Sequence, residues 1–90
     1  MTLNSIIFID SLPKLDLHGL DRDSARMYIN QFVNENVQLK QEFFVIVHGV
    51  GTGILRKTTH ETLKNNKKVT DFKTFFQNRG CTVVQISLIK

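Results

Sequence analysis

The stretch FFVIVHGVGTG at Phe43–Gly53 joins a continuous apolar run to a glycine-rich loop. Consecutive β-branched and aromatic residues such as Phe43–Val47 are typical of a central strand that is covered on both faces. The loop leads into a helix that we predict from roughly Ile54 to Asn65. Because ligands of open α/β sheets bind beyond the carboxyl ends of the strands, this stretch predicts both a sheet and the place of a site.

A second strand exit lies upstream, in the run LDLHG at Leu15–Gly19. We predict a strand over Lys14–His18, then a helix over about residues 22–37 with Asp21 as its N-cap. Apolar residues in that helix recur at the spacing of one helical face, at Ala25, Tyr28, Ile29, Phe32 and Val33.

Two further strands are predicted over Val69–Phe76 and Cys81–Ile89, with a turn at Gln77–Gly80. The order β-α-β-α-β-β indicates an α/β fold, an α+β two-layer sandwich of two helices on a mixed four-stranded sheet. We expect the first two strands to be parallel through a right-handed crossover, and the last two to form a hairpin.

Before these elements, residues 1–13 are predicted to form an N-terminal arm or an extra strand, and residues 14–90 one folded domain. The apolar run Ile6–Ile9 is too short for a signal peptide or a transmembrane helix. The single cysteine, Cys81, excludes an internal disulfide and a cysteine-based metal cluster, and fits a reducing, cytoplasmic location. We expect Cys81 to pack as a small apolar residue.

Positive charge is concentrated downstream of the glycine loop. The net charge is +4, but residues 56–79 carry seven bases and two acids, whereas residues 1–55 carry four bases and six acids. Such a distribution favours an anionic partner, and no membrane partner is expected. The predicted nucleic-acid-binding residues are Gly49, Gly51, Thr52, Gly53, Arg56, Lys57, Lys64, Lys67 and Lys68.

The glycine loop is suited to phosphate because it brings backbone close to a ligand and opens onto a helix N-terminus. Arg56 and Lys57 oppose the helix dipole unless they face an anion. Neither the GxxxxGK pattern nor the GxGxxG pattern of nucleotide-binding loops is present, because Gly49, Gly51 and Gly53 are spaced GxGxG.

The candidate proton carriers are Asp16, His18 and His48. Alternation along a strand places Asp16 and His18 on one face, and neighbouring strands would bring His48 beside His18. The same three residues are compatible with a two-histidine, one-carboxylate site for Mg²⁺ or Mn²⁺, and a metal-free mechanism is equally compatible.

Together LDLHG and VHGVGTGILR resemble the paired signature of the Smr (small MutS-related) domain, over about residues 14–86. The resemblance implies a fold similar to the C-terminal domain of bacterial translation initiation factor three. It also implies a stand-alone member with endonuclease activity, linked to DNA repair or recombination or to RNA quality control. The family's acid–hydrophobic–histidine triplet falls on Asp16–His18. The later region matches at Gly80 and Thr82 but has Gln77 and Asn78 where the family has glycines.

We therefore expect an endonuclease that nicks DNA or cleaves RNA. Asp16 would orient His18 or hold its charged form, His18 would transfer a proton, and His48 would assist or hold the phosphate. An attacking ribose hydroxyl would require RNA, whereas water leaves both substrates open. The alternatives are a noncatalytic module that binds structured nucleic acid or the ribosome, and an adaptor whose arm adds a strand to a partner. His60 is expected at the surface, and Phe72, Phe75 and Phe76 in the core.

Overall fold

The computed structural model describes residues 3–6 and 8–88. A 3-10 helix at Leu3–Ser5 comes first. The elements that follow are β1 (Lys14–Asp16), α1 (Arg22–Gln38), β2 (Phe43–Val47), α2 (Ile54–Lys64), β3 (Val69–Phe75) and β4 (Asn78–Ile86). The predicted order of strands and helices is confirmed.

The four strands form one mixed sheet in the order β1-β2-β4-β3. β1 and β2 are parallel, as expected for a crossover through α1, and the other two pairs are antiparallel. In register, Asp16 is opposite Val47, and Val47 is opposite Cys81. Since side chains alternate along a strand, the side chains of these three residues lie on one face of the sheet. The residues directly before and after them in each strand place their side chains on the other face.

Both helices cover the same face of the sheet and enclose the larger core. Fully buried members of this core include Leu17, Ile29, Phe44, Ile46 and Val84. The helix α2 contributes threonines to it, and their hydroxyls are satisfied within the helix. Thr59 and Thr62 donate to the carbonyls four residues earlier, each at 2.7 Å. A face poor in large apolar residues can therefore still be buried.

The N-terminal arm covers the opposite face. Leu3 and Ile6 are buried against the apolar side chains of Phe43, Val45, Phe75, Cys81 and Val83. The Lys14 ammonium donates to the carbonyl of Ile9 at 2.7 Å, which ties the arm to β1. Among the described residues before β1 there is a 3-10 helix and no strand; Ile7, within the predicted run Ile6–Ile9, lies outside the described residues.

Turn chemistry moves two predicted boundaries. β1 ends at Asp16 and not at His18, because the Asp16 carboxylate accepts a hydrogen bond from the His18 backbone N–H at 2.9 Å. β4 begins at Asn78, so the hairpin turn lies at Phe76 and Gln77. No residue of this turn has a positive φ, so Gln77 and Asn78 can replace glycine without backbone strain.

The packing predictions for Cys81 and Phe75 are confirmed, and the one for Phe76 is wrong. Cys81 is buried, and burial raises the pKa of its thiol. Phe75 is buried and Phe72 packs at the edge of the helix-side core, but Phe76 is 64% exposed because it occupies the hairpin tip. Within the described ranges, no helix is long and apolar enough to cross a bilayer.

Candidate nucleic-acid interface

The glycine loop is fixed to β4 by backbone contacts. The N–H groups of His48 and Gly49 both donate to the Gly80 carbonyl, at 2.8 and 3.0 Å. A Cβ at Gly80 would lie 3.2 Å from the Gly49 Cα, and Gly49 itself has a φ of 77°. The two segments therefore touch through backbone, which explains why glycine stands at both positions.

The N-terminus of α2 is open, unlike that of α1. Gly53 is its N-cap and has no side chain with which to cap the helix, and no acid lies in the first turn. Among the described residues, the Ile54 N–H has a long contact with Thr52 Oγ1, at 3.4 Å. By contrast, α1 begins with Asp21, whose carboxylate accepts from the Ser24 N–H at 2.7 Å. Free N–H groups at the start of α2 are therefore available to an anion.

Basic side chains surround this open helix end. The Arg56 guanidinium folds back over the loop, with Nη2 4.0 Å from where a Gly53 Cβ would stand. Lys57 follows it in the first turn of α2. The loop and the helix start enclose a shallow cavity of about 220 Å³, lined by His48, Gly51, Thr52, Gly53, Ile54 and Leu55. The arrangement places a guanidinium and open backbone N–H groups beside this cavity.

The wall of this cavity is held by a chain of hydrogen bonds through Thr82. His48 Nδ1 lies 2.9 Å from the Gly49 carbonyl oxygen, and His48 Nε2 lies 2.7 Å from Thr82 Oγ1. His60 Nε2 reaches the same hydroxyl at 3.0 Å. Burial lowers the pKa of both imidazoles, and the positive charge of Arg56 lowers both further. Both rings are therefore uncharged at neutral pH.

His60 is the residue that the sequence analysis missed. It was expected at the surface, but it is half-buried, and its ring centroid lies 6.0 Å from that of His48 and 5.2 Å from that of Phe72. One sequence signal points to it. His60 follows Arg56 by four residues, which places both side chains on one face of α2.

Asp16 lies on the other face of the sheet from His48. It is in register with Val47 and close to Cys81, on the side covered by the arm. His48 is on the helix side, where it contacts Thr82. The two strand ends remain adjacent, since the Leu17 N–H donates to the Val47 carbonyl at 2.9 Å. His18, the next residue after Leu17, is exposed.

The structure therefore does not join Asp16, His18 and His48 into one ligand set. Across residues 3–6 and 8–88, no three His, Cys, Asp or Glu side chains come together to hold a metal ion. The Asp16 carboxylate accepts from the backbone N–H of His18, and no hydrogen bond from the His18 ring to that carboxylate is present in the described part of the chain.

The predicted lysines fall at the far end of α2. Lys64 ends this helix of 11 residues, and Lys67 and Lys68 lie in the connector that follows. At 1.5 Å per residue, that end is about 16 Å from the glycine loop. Lys68 also donates to Asn34 Oδ1 at 2.7 Å. The nucleic-acid-binding residues predicted from the sequence thus form two separate groups.

Known proteins share this fold and these motifs. The model of the Smr domain matches residues 15–87. The chain is 32% identical over 77 residues to the protein "Endonuclease MutS2" of Staphylococcus aureus, covering 86% of this chain and 11% of that protein. It is 34% identical over 74 residues to the Streptococcus suis protein of the same name, covering 79% and 10%. The chain thus spans about a tenth of the length of these relatives.

Solved structures agree with the sequence comparisons. The crystal structure of the Smr domain of Thermus thermophilus MutS2 superposes with a TM-score of 0.82 at 30% identity, covering 84% of this chain and 99% of that one. The stand-alone small MutS-related protein YdaL of Escherichia coli gives a TM-score of 0.76 at 18% identity, covering 81% and 63%, and shows the shared fold. By its sequence signature and its fold, the chain belongs to the Smr domain family.

Proposed function

We propose that this Smr domain binds the phosphodiester backbone of nucleic acid at the start of α2 and cleaves it endonucleolytically. The observation that carries the proposal is the uncapped N-terminus of α2, preceded by the glycine loop and covered by the Arg56 guanidinium. Backbone N–H groups and a guanidinium are the donors that phosphate oxygens accept best. The name of the MutS2 relatives, endonuclease, supports the second half of the proposal.

The proposed chemistry places proton transfer at His18. This imidazole is exposed at the exit of β1, and the contact of Asp16 with its backbone N–H fixes the turn that presents it. An imidazole near neutral pH can take a proton from the attacking oxygen. Arg56 and Lys57 would stabilise the negative charge that develops on the phosphoryl oxygens. A backbone-directed site of this kind recognises shape more than base sequence, so both DNA and RNA are proposed substrates.

A noncatalytic module that binds structured nucleic acid or the ribosome is the second candidate. One observation favours it: both ring nitrogens of His48 are already occupied, by the Gly49 carbonyl and the Thr82 hydroxyl. His48 is thus engaged in holding the loop, which serves binding without any chemical step. In either case the proposed cellular role is in DNA repair or recombination, or in RNA quality control.

A cleavage time course separates the two candidates. Supercoiled plasmid and a structured RNA would each be incubated with the wild type and with the double variant Asp16→Ala/His18→Ala, in Mg²⁺, Mn²⁺ or EDTA. Loss of cleavage in the double variant supports the endonuclease and reports whether a metal is needed. Binding that survives in both proteins, with no cleavage in any condition, supports the noncatalytic module.

A charge comparison tests where the backbone binds. Arg56→Gln/Lys57→Gln removes two positive charges beside the glycine loop, and Lys67→Gln/Lys68→Gln removes two at the far end of α2. Net charge changes equally in both double variants. If the loop binds phosphate, the first should lower the salt dependence of oligonucleotide binding by about two phosphate contacts, and the second by less. Equal losses would contradict a site at the loop.

A further inference from the structure

The hydrogen bonds around Thr82 fix the position of every proton in the uncharged network. Since the Gly49 carbonyl only accepts, His48 Nδ1 carries a proton and His48 Nε2 carries a lone pair. Thr82 then donates its single hydroxyl proton to His48 Nε2, at 2.7 Å. The hydroxyl oxygen is left to accept from His60 Nε2–H, at 3.0 Å.

One imidazole nitrogen remains without a donor or acceptor. His60 Nδ1 carries the lone pair that the neutral ring must have, and no described residue donates a hydrogen bond to it. Both nitrogens of the more deeply buried His48 are occupied. The nitrogen that can exchange a proton with solvent is therefore on His60, although His48 is the histidine of the loop motif.

We propose that His48, Thr82 and His60 act as a relay that takes up one proton at His60 Nδ1 and delivers its positive charge to His48, behind the glycine loop. His60 and Thr82 thereby become positioning residues of the site. The functional consequence, stronger phosphate binding when the relay is charged, rests on the loop-binding part of the function proposed above.

The proton transfer balances without movement of either ring. A proton binds His60 Nδ1, the proton on His60 Nε2 moves to Thr82 Oγ1, and the former hydroxyl proton moves to His48 Nε2. His60 ends neutral with its proton on Nδ1, and His48 ends as an imidazolium that still donates to the Gly49 carbonyl. Three hydrogen bonds exist before and after, with two of them reversed in direction.

The surroundings of the relay make charge uptake dependent on a bound anion. Arg56 on α2 is the charged group whose field acts on both imidazoles, and it opposes their protonation. The other elements present uncharged groups, Thr82 from β4 and Phe72 from β3. A phosphate beside Arg56 would offset its charge, so proton uptake and phosphate binding should strengthen each other.

Imidazole NMR of the labelled protein tests the relay without any nucleic acid. The chain has three histidines, and exposed His18 serves as an internal reference. At pH 8 we expect the proton on Nδ1 of His48 and on Nε2 of His60. On acidification the signals of these two rings should move with one shared midpoint, below the usual pKa of a histidine, because burial lowers the pKa of both. Separate midpoints, or the opposite tautomers, would overturn the proposal.

Variants of Thr82 and His60 provide the controls. Thr82→Val removes the hydroxyl at nearly constant shape and should split the shared midpoint in two, whereas Thr82→Ser should keep it. Because Thr82 is fully buried, its substitution can also destabilise the fold, and a second variant is needed. His60→Gln retains a donor toward the Thr82 hydroxyl but cannot take up a proton. In that variant the midpoint of the His48 signals should move to lower pH, because the Thr82 hydroxyl loses the ring nitrogen that accepts its proton when His48 is charged. An unchanged His48 response would refute the relay.

Binding measured against pH then connects the relay to the loop. Fluorescence anisotropy with a labelled oligonucleotide should show roughly three- to tenfold tighter binding below the shared midpoint of the relay than at pH 8, as expected for one added charge near a phosphate. His60→Gln should remove most of this dependence of binding on pH. Absence of binding at every pH would refute the proposed function, and the NMR titration would still test the relay independently. Equal pH dependence in the wild type and His60→Gln would refute its effect on binding.

Discussion

Alanine substitutions at Gly49 and Gly51 should have opposite effects on stability, although both residues lie in the same loop. A Cβ at either position meets no atom within 4 Å, so packing does not distinguish them. The backbone conformation distinguishes them, because Gly49 has a φ of 77°, whereas Gly51 is outside the left-handed region. Gly51→Ala is thus a matched control in which the same methyl group is added without strain.

The expected change in the free energy of unfolding results from two opposing effects. An L-residue in the left-handed region costs about 1–2 kcal/mol. Replacing glycine by alanine also restricts the unfolded chain, which stabilises the folded state by about 0.4–1 kcal/mol. Gly49→Ala should therefore destabilise the domain by about 1 kcal/mol, and Gly51→Ala should leave its stability equal or slightly higher. In a domain of this size, 1 kcal/mol corresponds to a change in Tm of about 4–8 °C.

Urea and thermal unfolding followed by far-UV circular dichroism would measure the difference, because the chain has no tryptophan for fluorescence. Equal midpoints for the two variants, or a lower midpoint for Gly51→Ala, would refute the loop conformation described above. A stable Gly51→Ala protein has a further use. Gly51 lines the cavity at the start of α2, so weaker oligonucleotide binding at unchanged stability would support contact between the loop and a phosphate.

Three further outcomes follow from the structure. The free energy of unfolding should fall as the pH is lowered from about 7 to 5. Burial lowers the pKa of His48 and His60 in the folded chain, whereas in the unfolded chain their pKa is near the ordinary value of 6.5. The unfolded chain therefore binds protons in this range that the folded chain does not. Urea titrations across that range would show it, and a flat profile would contradict neutral rings in the folded state. Gly80→Ala should lower Tm, since its Cβ would stand 3.2 Å from the Gly49 Cα, and an unchanged Tm would refute that close approach. The Cys81 thiol should react slowly with Ellman's reagent until the protein unfolds, because it is buried and its pKa is raised; rapid reaction of the native protein would refute its burial.

Much of the fold could be predicted because its signals are local. The apolar run at Phe43–Val47 and the glycine loop after it mark β2 and the start of α2, and Asp21 is the N-cap of α1 as predicted. The predicted end of β1 is wrong because of a local hydrogen bond. The side chain of Asp16 ends β1 two residues early by capturing the His18 N–H, a competition that hydrophobic pattern does not reveal.

The arrangement of the site depended on distant parts of the chain. The sequence motifs predict His48 and His18 as site residues together with Asp16. Strand register, however, places Asp16 on the arm side of the sheet and His48 on the helix side. His60 joins the site only because α2 packs over β4, where Thr82 lies 22 residues further along the chain. Likewise, the need for glycine at Gly80 arises from its contact with the Gly49 backbone.

By itself, then, the sequence determined the order of elements, the family signature and the open, basic start of α2, since capping, charge and periodicity act over a few neighbouring residues. The tertiary structure alone decided which side chains share a face and which groups the rings of His48 and His60 contact. Strand register and helix packing set those relations, because a displacement of one residue along a strand turns a side chain to the opposite face of the sheet.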